Sequence, residues 1–198
     1  MTAGTKKRKF SNGGVEIAYL DSGEGEAIVL VHGFASTKEV NWVLPSWIST
    51  FIQADRRVIA LDNRGHGDSA KLYDPALYHS ATMADDIRAL IDHLGIARAD
   101  VMGYSMGARN AAFLALAHPE RVRSAILGGL GIKLISGVGL PEGIATALET
   151  PSIADVKDAQ AQMRHSRAST TLDLYQQFVP ESQQRVVDKL SSLSRMLQ

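Results

Sequence analysis

The chain contains no cysteine. That absence removes disulfide frameworks, thiolate nucleophiles, zinc ribbons and cysteine-ligated iron–sulfur clusters. It also lacks a surplus of charge of either sign, with 21 Lys and Arg against 21 Asp and Glu. Nucleic-acid binders usually carry a basic excess, so no nucleic-acid partner is expected. No apolar window approaches the roughly 20 residues that cross a bilayer, so no membrane contact is expected either. The charged N-terminus has no apolar segment behind it, unlike a secretory signal. No H-E-x-x-H or comparable metal-ligand cluster occurs, and no repeat or low-complexity segment is found. The expectation is a soluble cytoplasmic protein. The run Lys6-Lys7-Arg8-Lys9 reads as a solvated terminal arm.

What is present suffices for a core. A chain of 198 residues, 45% hydrophobic, has the size of one domain with an addition. A chain of that size buries roughly 70% of its unfolded surface. Val15 to Leu20 alternates like a half-buried strand. The Asn12-Gly13-Gly14 turn before it predicts a hairpin with Lys9–Ser11. Ala27–Val31 is a continuous apolar run, the pattern of a strand buried on both faces of a parallel sheet. Arg57–Leu61, Ala99–Met102 and Val122–Leu127 read as further short buried strands. Met83, Ile87, Leu90, Ile91 and Leu94 share one helical face. Thr82 and Asp85 suggest a capping box for that helix, and Gly95 a stop. Ala108–Ala117 is apolar nearly all round, with Pro119 ending it. Strand and helix alternation with short connections predicts an α/β fold with a mostly parallel sheet and flanking helices.

The low-charge stretch 124–140 carries Gly128, Gly129, Gly131, Gly137 and Gly139, as a strand end and loop do. From Pro141 strand signals vanish. Ile153, Val156 and Met163 mark one helix, and Val186, Leu190, Leu193 and Leu197 another. The division is a core over 1–136 and a helical unit over 137–198.

Three motifs carry chemistry. Gly103-Tyr104-Ser105-Met106-Gly107 follows a predicted strand and opens a predicted helix, the context of a G-x-S-x-G elbow. Gly103 and Gly107 remove side chains that would clash across so tight a turn. The Ser105 hydroxyl is then exposed above the sheet, and the Met106 amide at the helix N-terminus faces the same space. His32-Gly33-Phe34 leaves the C-terminal end of a buried strand, the ligand side of such sheets. Gly33 lets backbone approach substrate, and the Phe34 amide is a candidate second oxyanion donor. His32 is expected to support the loop rather than to act as base. Asp62-Asn63-Arg64-Gly65-His66-Gly67-Asp68-Ser69 reads as a packed, self-bonded loop shaping the floor of the site, with Asp62 or His66 as catalytic groups the competing reading. Tyr104 and Leu130, with Met102, Met106 and Leu140, are candidate pocket walls; core packing is the competing role for each.

In this order the three motifs resemble the α/β-hydrolase superfamily, within it the esterase, lactonase and cofactor-free haloperoxidase branch. The resemblance covers about Phe10 to Gly131, and the later helices are similar to that family's cap. It implies Ser105 as nucleophile and the amides of Phe34 and Met106 as oxyanion hole; the elbow chemistry itself predicts no cofactor, and the absent ligand cluster no metal. The implied substrate is a small ester, lactone or related carbonyl compound, cleaved through an acyl-enzyme. The family's triad runs Ser, acid, His in chain order. After Ser105 only His118 and His165 occur, and no strand ending in Gly-x-Asp. Asp155, Asp158, Asp173 and Asp188 read as solvated charges. Two expectations follow: a longer hydrolase whose last strands lie beyond this sequence, or a ligand-binding relative without a general base. Either leaves Val122–Leu127 as a sheet edge that a further segment or a second copy of the chain would cover.

Overall fold

A computed structural model describes residues 6–131. Six strands form one sheet in the order β1-β2-β4-β3-β5-β6. They are β1 (Lys6–Asn12), β2 (Val15–Ser22), β3 (Glu26–Val31), β4 (Arg56–Leu61), β5 (Ala99–Tyr104) and β6 (Val122–Gly128). β2 pairs antiparallel with β1 and β4, and β3, β4, β5 and β6 run parallel. The α/β class and the mostly parallel sheet are therefore as the sequence predicts.

Two clusters of buried side chains cover the two faces. One joins Val29, Val31, Ile59 and Leu61 to Ile87, Leu90 and Ile91 of α2 (Ser80–His93) and Leu114 of α3 (Met106–Ala117). The other joins Leu30, Val58 and Ala60 to Trp42 and to Ile48 of α1 (Trp47–Gln53). Burial on both faces is why β3 reads as an uninterrupted apolar run. The hairpin closes at the Asn12–Val15 pair through Gly13 (φ +56°) and Gly14 (φ +85°). Two consecutive left-handed residues match the twist of the strands they join.

Several expectations are corrected. The basic run is no arm: Lys6–Lys9 opens β1, and Lys9 reaches Glu16 at 2.6 Å across the hairpin. β2 is not half-buried, since Ile17, Ala18, Tyr19 and Leu20 are all enclosed. Its place inside the sheet, between β1 and β4, covers both its faces. Thr82 and Asp85 form no capping box. α2 starts at Ser80 with His79 as its N-cap, three residues before Thr82, and Asp74 caps the preceding turn Pro75–Tyr78 through the Ala76 amide (2.9 Å). Asp85 instead accepts from Arg88 (2.6 Å) and Asn12 (3.1 Å). Gly95, at φ +64°, does close α2. α1 and the π-helical turn Glu39–Val43 before it went unanticipated. β6 is an edge strand of the described sheet, as β1 is at the other side, with Ile126 and Leu127 exposed. The helical unit 137–198, with Leu140 and His165, lies outside the described residues.

Candidate active site

The sharpest local constraint is at Ser105. β5 ends at Tyr104 and α3 begins at Met106, so one residue makes the whole reversal. Ser105 does so at φ +53°, ψ −115°, a conformation that costs a side-chain-bearing residue about 1–3 kcal/mol. Backbone bonds offset the strain. The Ser105 amide donates to the Gly128 carbonyl at 2.8 Å, and the Ser105 carbonyl accepts from Arg109 N at 3.1 Å. A Cβ on Gly103 would overlap the Gly107 carbonyl, and one on Gly107 would overlap the Val31 and His32 carbonyls. The flanking glycines are thus required by backbone, on both sides of the serine. The Met106 amide sits in the first turn of α3, where N–H groups have no partner within the helix and the helix dipole is positive.

The loop after β3 is fixed by its histidine. His32 is fully buried. Its Nδ1–H donates to the Gly33 carbonyl at 2.6 Å, and its Nε2 accepts from the Asn63 amide at 3.0 Å. A carbonyl only accepts, so this pairing defines the neutral tautomer. Both ring nitrogens are committed, which leaves neither for proton transfer. In a trans peptide the carbonyl and the following N–H point in opposite directions. Anchoring the Gly33 carbonyl to His32 therefore turns the Phe34 N–H away from the ring. Gly33 packs on the elbow, and a Cβ there would stand 3.5 Å from the Ser105 Cβ.

Burial pushes the His32 pKa down from 6.5 to about 4. The folded form then binds fewer protons than the unfolded one, so its stability is full above pH 6.5 and falls as pH drops toward 4. At 1.36 kcal/mol per unit the loss across that window is roughly 3 kcal/mol. Urea unfolding at stepped pH should show that slope, and His32→Asn should lack it. A wild-type midpoint that is flat between pH 7 and 4.5 would contradict a buried neutral His32.

The loop 62–69 ties this region to the sheet. Asp62 is fully buried and accepts from Lys38 N (2.8 Å), Lys38 Nζ (2.5 Å) and Asp68 N (2.8 Å). Lys38 is itself fully enclosed. Burial opposes its charge, yet Asp62, with Asp68 and Glu39, outweighs burial and holds its pKa above the usual lysine value. Lys7 and Lys38 together hold the Asp68 pKa down at about 2. Gly67 leaves the space that the Asp62 carboxylate fills. Arg64 is bidentate with Asp86 of α2 at 2.7 and 2.8 Å. His66 donates from Nδ1 to the Arg64 carbonyl at 2.9 Å, with its ring 5.5 Å from that of Phe34. Asp62 and His66 are thus both hydrogen-bonded within this loop, Asp62 through its carboxylate and His66 through Nδ1. Lys38 was missed by sequence reasoning, since a lysine between polar neighbours reads as solvated.

A cavity of about 420 Å³ opens beside Phe34 and Met106, walled by His66, Leu72, Pro75 and Tyr78 among others. Tyr104 and Leu130 are not among its lining residues. The Tyr104 ring lies instead against Gly33, Gly128 and Gly129, about half exposed. His118 is at the far end of α3, beside Glu120 at 3.5 Å. The described residues contain no group of three or more metal-ligating side chains, and no helix among them is long and apolar enough to cross a membrane.

A family model described as the alpha/beta hydrolase fold matches residues 26–189. A 2-hydroxymuconate semialdehyde hydrolase from Pseudomonas sp. (strain CF600) is 32% identical, over 93% of this chain and 70% of its own. The dihydrolipoyllysine-residue acetyltransferase component of an acetoin cleaving system from Pseudomonas putida is 36% identical, over 71% of this chain and 35% of its own. With two further curated relatives at 40%, the chain spans less than half the length of most of these curated relatives. Among solved structures, an N-acyl homoserine lactone degrading enzyme is 27% identical, with a TM-score of 0.64 over 93% of this chain and 71% of that one.

Proposed function

Because the chain belongs to the α/β-hydrolase fold family, we propose that it is a serine hydrolase of small esters, lactones or related carbonyl compounds. The observation that carries this reading is the left-handed Ser105 held between Gly103 and Gly107 at a strand-to-helix turn. Such a backbone has no structural use that a glycine would not serve better. In the proposed reaction the Ser105 Oγ adds to the carbonyl carbon. The amides of Phe34 and Met106 receive the oxyanion. The alcohol departs with a proton, and water later releases the acid and restores the hydroxyl. The relatives named for a semialdehyde hydrolase and for lactone degradation support a carbonyl substrate.

The reaction needs a base for the Ser105 proton. His32 has no nitrogen to offer and His118 stands at the other end of α3. Those two histidines are therefore not that base, and a second reading is a binding protein that holds a carbonyl ligand above Ser105 without turnover. A fluorophosphonate probe separates the two. Intact mass should show one adduct on the wild-type chain, mapped to Ser105, and none on Ser105→Ala. A wild-type chain that stays unlabelled would put the binding reading ahead.

A further inference from the structure

The cavity beside Phe34 and Met106 is walled largely by apolar groups. The Tyr78 hydroxyl is spent, donating to the Leu72 carbonyl at 2.6 Å and accepting from the Leu72 amide at 3.3 Å. Tyr73 is almost wholly exposed. His66 differs from both. Its Nδ1–H is given to the Arg64 carbonyl, so in the neutral ring Nε2 carries the lone pair. Nε2 has no hydrogen-bond partner among the described residues. The ring is packed edge-to-face against His32 (5.3 Å) and Phe34 (5.5 Å), which fixes its plane. Burial keeps its pKa below the usual histidine value, in favour of the neutral ring. A fixed acceptor therefore stands in an apolar wall, next to the two residues that would hold the oxyanion.

We infer that this cavity receives the apolar arm of the substrate, and that His66 Nε2 selects an arm carrying a hydroxyl or amide N–H donor. The inference rests on the reading of Ser105 only in setting where the carbonyl lies. A ligand without the donor leaves Nε2 desolvated and unpaired, and discrimination comes from that penalty.

Methyl 4-hydroxyphenylacetate and methyl phenylacetate differ by one hydroxyl and serve as probes. Each is titrated into the full 198-residue chain carrying Ser105→Ala, labelled with nitrogen-15 in histidine. The hydroxylated ester should bind about tenfold tighter. It should also shift the His66 Nε2 resonance toward that of a hydrogen-bonded nitrogen. His66→Phe should erase the tenfold preference, and His66→Gln, which keeps an acceptor, should retain part of it. Equal affinities, a preference that survives His66→Phe, or no saturable binding of either ester would overturn the inference. Fluorophosphonate labelling of the wild-type chain is read separately. A hydroxyl preference without labelling supports the pocket and removes the hydrolase reading. Labelling without the preference does the reverse.

Discussion

Gly107→Ala should abolish fluorophosphonate labelling of Ser105 and lower stability by more than about 3 kcal/mol. The added methyl would meet the carbonyls of Val31 and His32. Neither can yield. Val31 is hydrogen-bonded in the middle of the sheet, between β4 and β5, and the His32 carbonyl accepts from Asn63 Nδ2 at 3.0 Å. The first turn of α3 would have to lift from the end of β3, carrying the Met106 amide away from the Phe34 amide. Gly95→Ala is the control. A Cβ there meets nothing within 4 Å, and only the left-handed φ of +64° is penalised. That penalty is about 1 kcal/mol, with labelling intact. Urea unfolding and labelling, measured on both variants, check the contrast. If Gly107→Ala behaves like Gly95→Ala, the close approach of α3 to β3 is wrong.

Asp62→Ala should cost about 3–5 kcal/mol, because it leaves the Lys38 ammonium enclosed beside a cavity where its carboxylate stood. Asp68 and Glu39 are within 3.1 Å of Nζ and soften the loss without replacing the buried partner. Removing both charges is a different experiment. Asp62→Leu with Lys38→Met exchanges the pair for apolar volume and should recover most of the stability. The double-mutant cycle by urea unfolding should give a coupling of more than about 1 kcal/mol. Additive losses would mean that Lys38 is solvated in the folded chain and reaches Asp62 only weakly.

The parts that could be read from sequence are those that local rules determine. Ala27–Val31 declares itself by composition, since two covered faces demand an unbroken apolar run. The elbow declares itself because Gly103 and Gly107 are forced by backbone contacts within a few residues of Ser105, or with the strand that precedes the oxyanion loop. The missed features depend on partners remote in sequence. Lys38 is buried only because Asp62, on another strand's exit, meets it. α1 was obscured by Pro45 and by a left-handed Ser46 at its start. Thr82 and Asp85 satisfied a local pattern, but α2 had already started at Ser80. His66 resembled a catalytic residue by type. Its hydrogen bond from Nδ1 to the Arg64 carbonyl, invisible in sequence, leaves the ring's lone pair on Nε2.

The bond from the Ser105 amide to the Gly128 carbonyl ties the elbow to the last residue of β6. β6 is also one of the two edge strands of the described sheet. The nucleophile's own N–H is thus a reporter of edge fraying. Its hydrogen exchange can be no slower than the opening of that strand end allows. Val29, in the sheet's centre, should exchange only through unfolding of the whole core. Whatever pins or loosens the end of β6 sets how long the elbow keeps its strained geometry between openings.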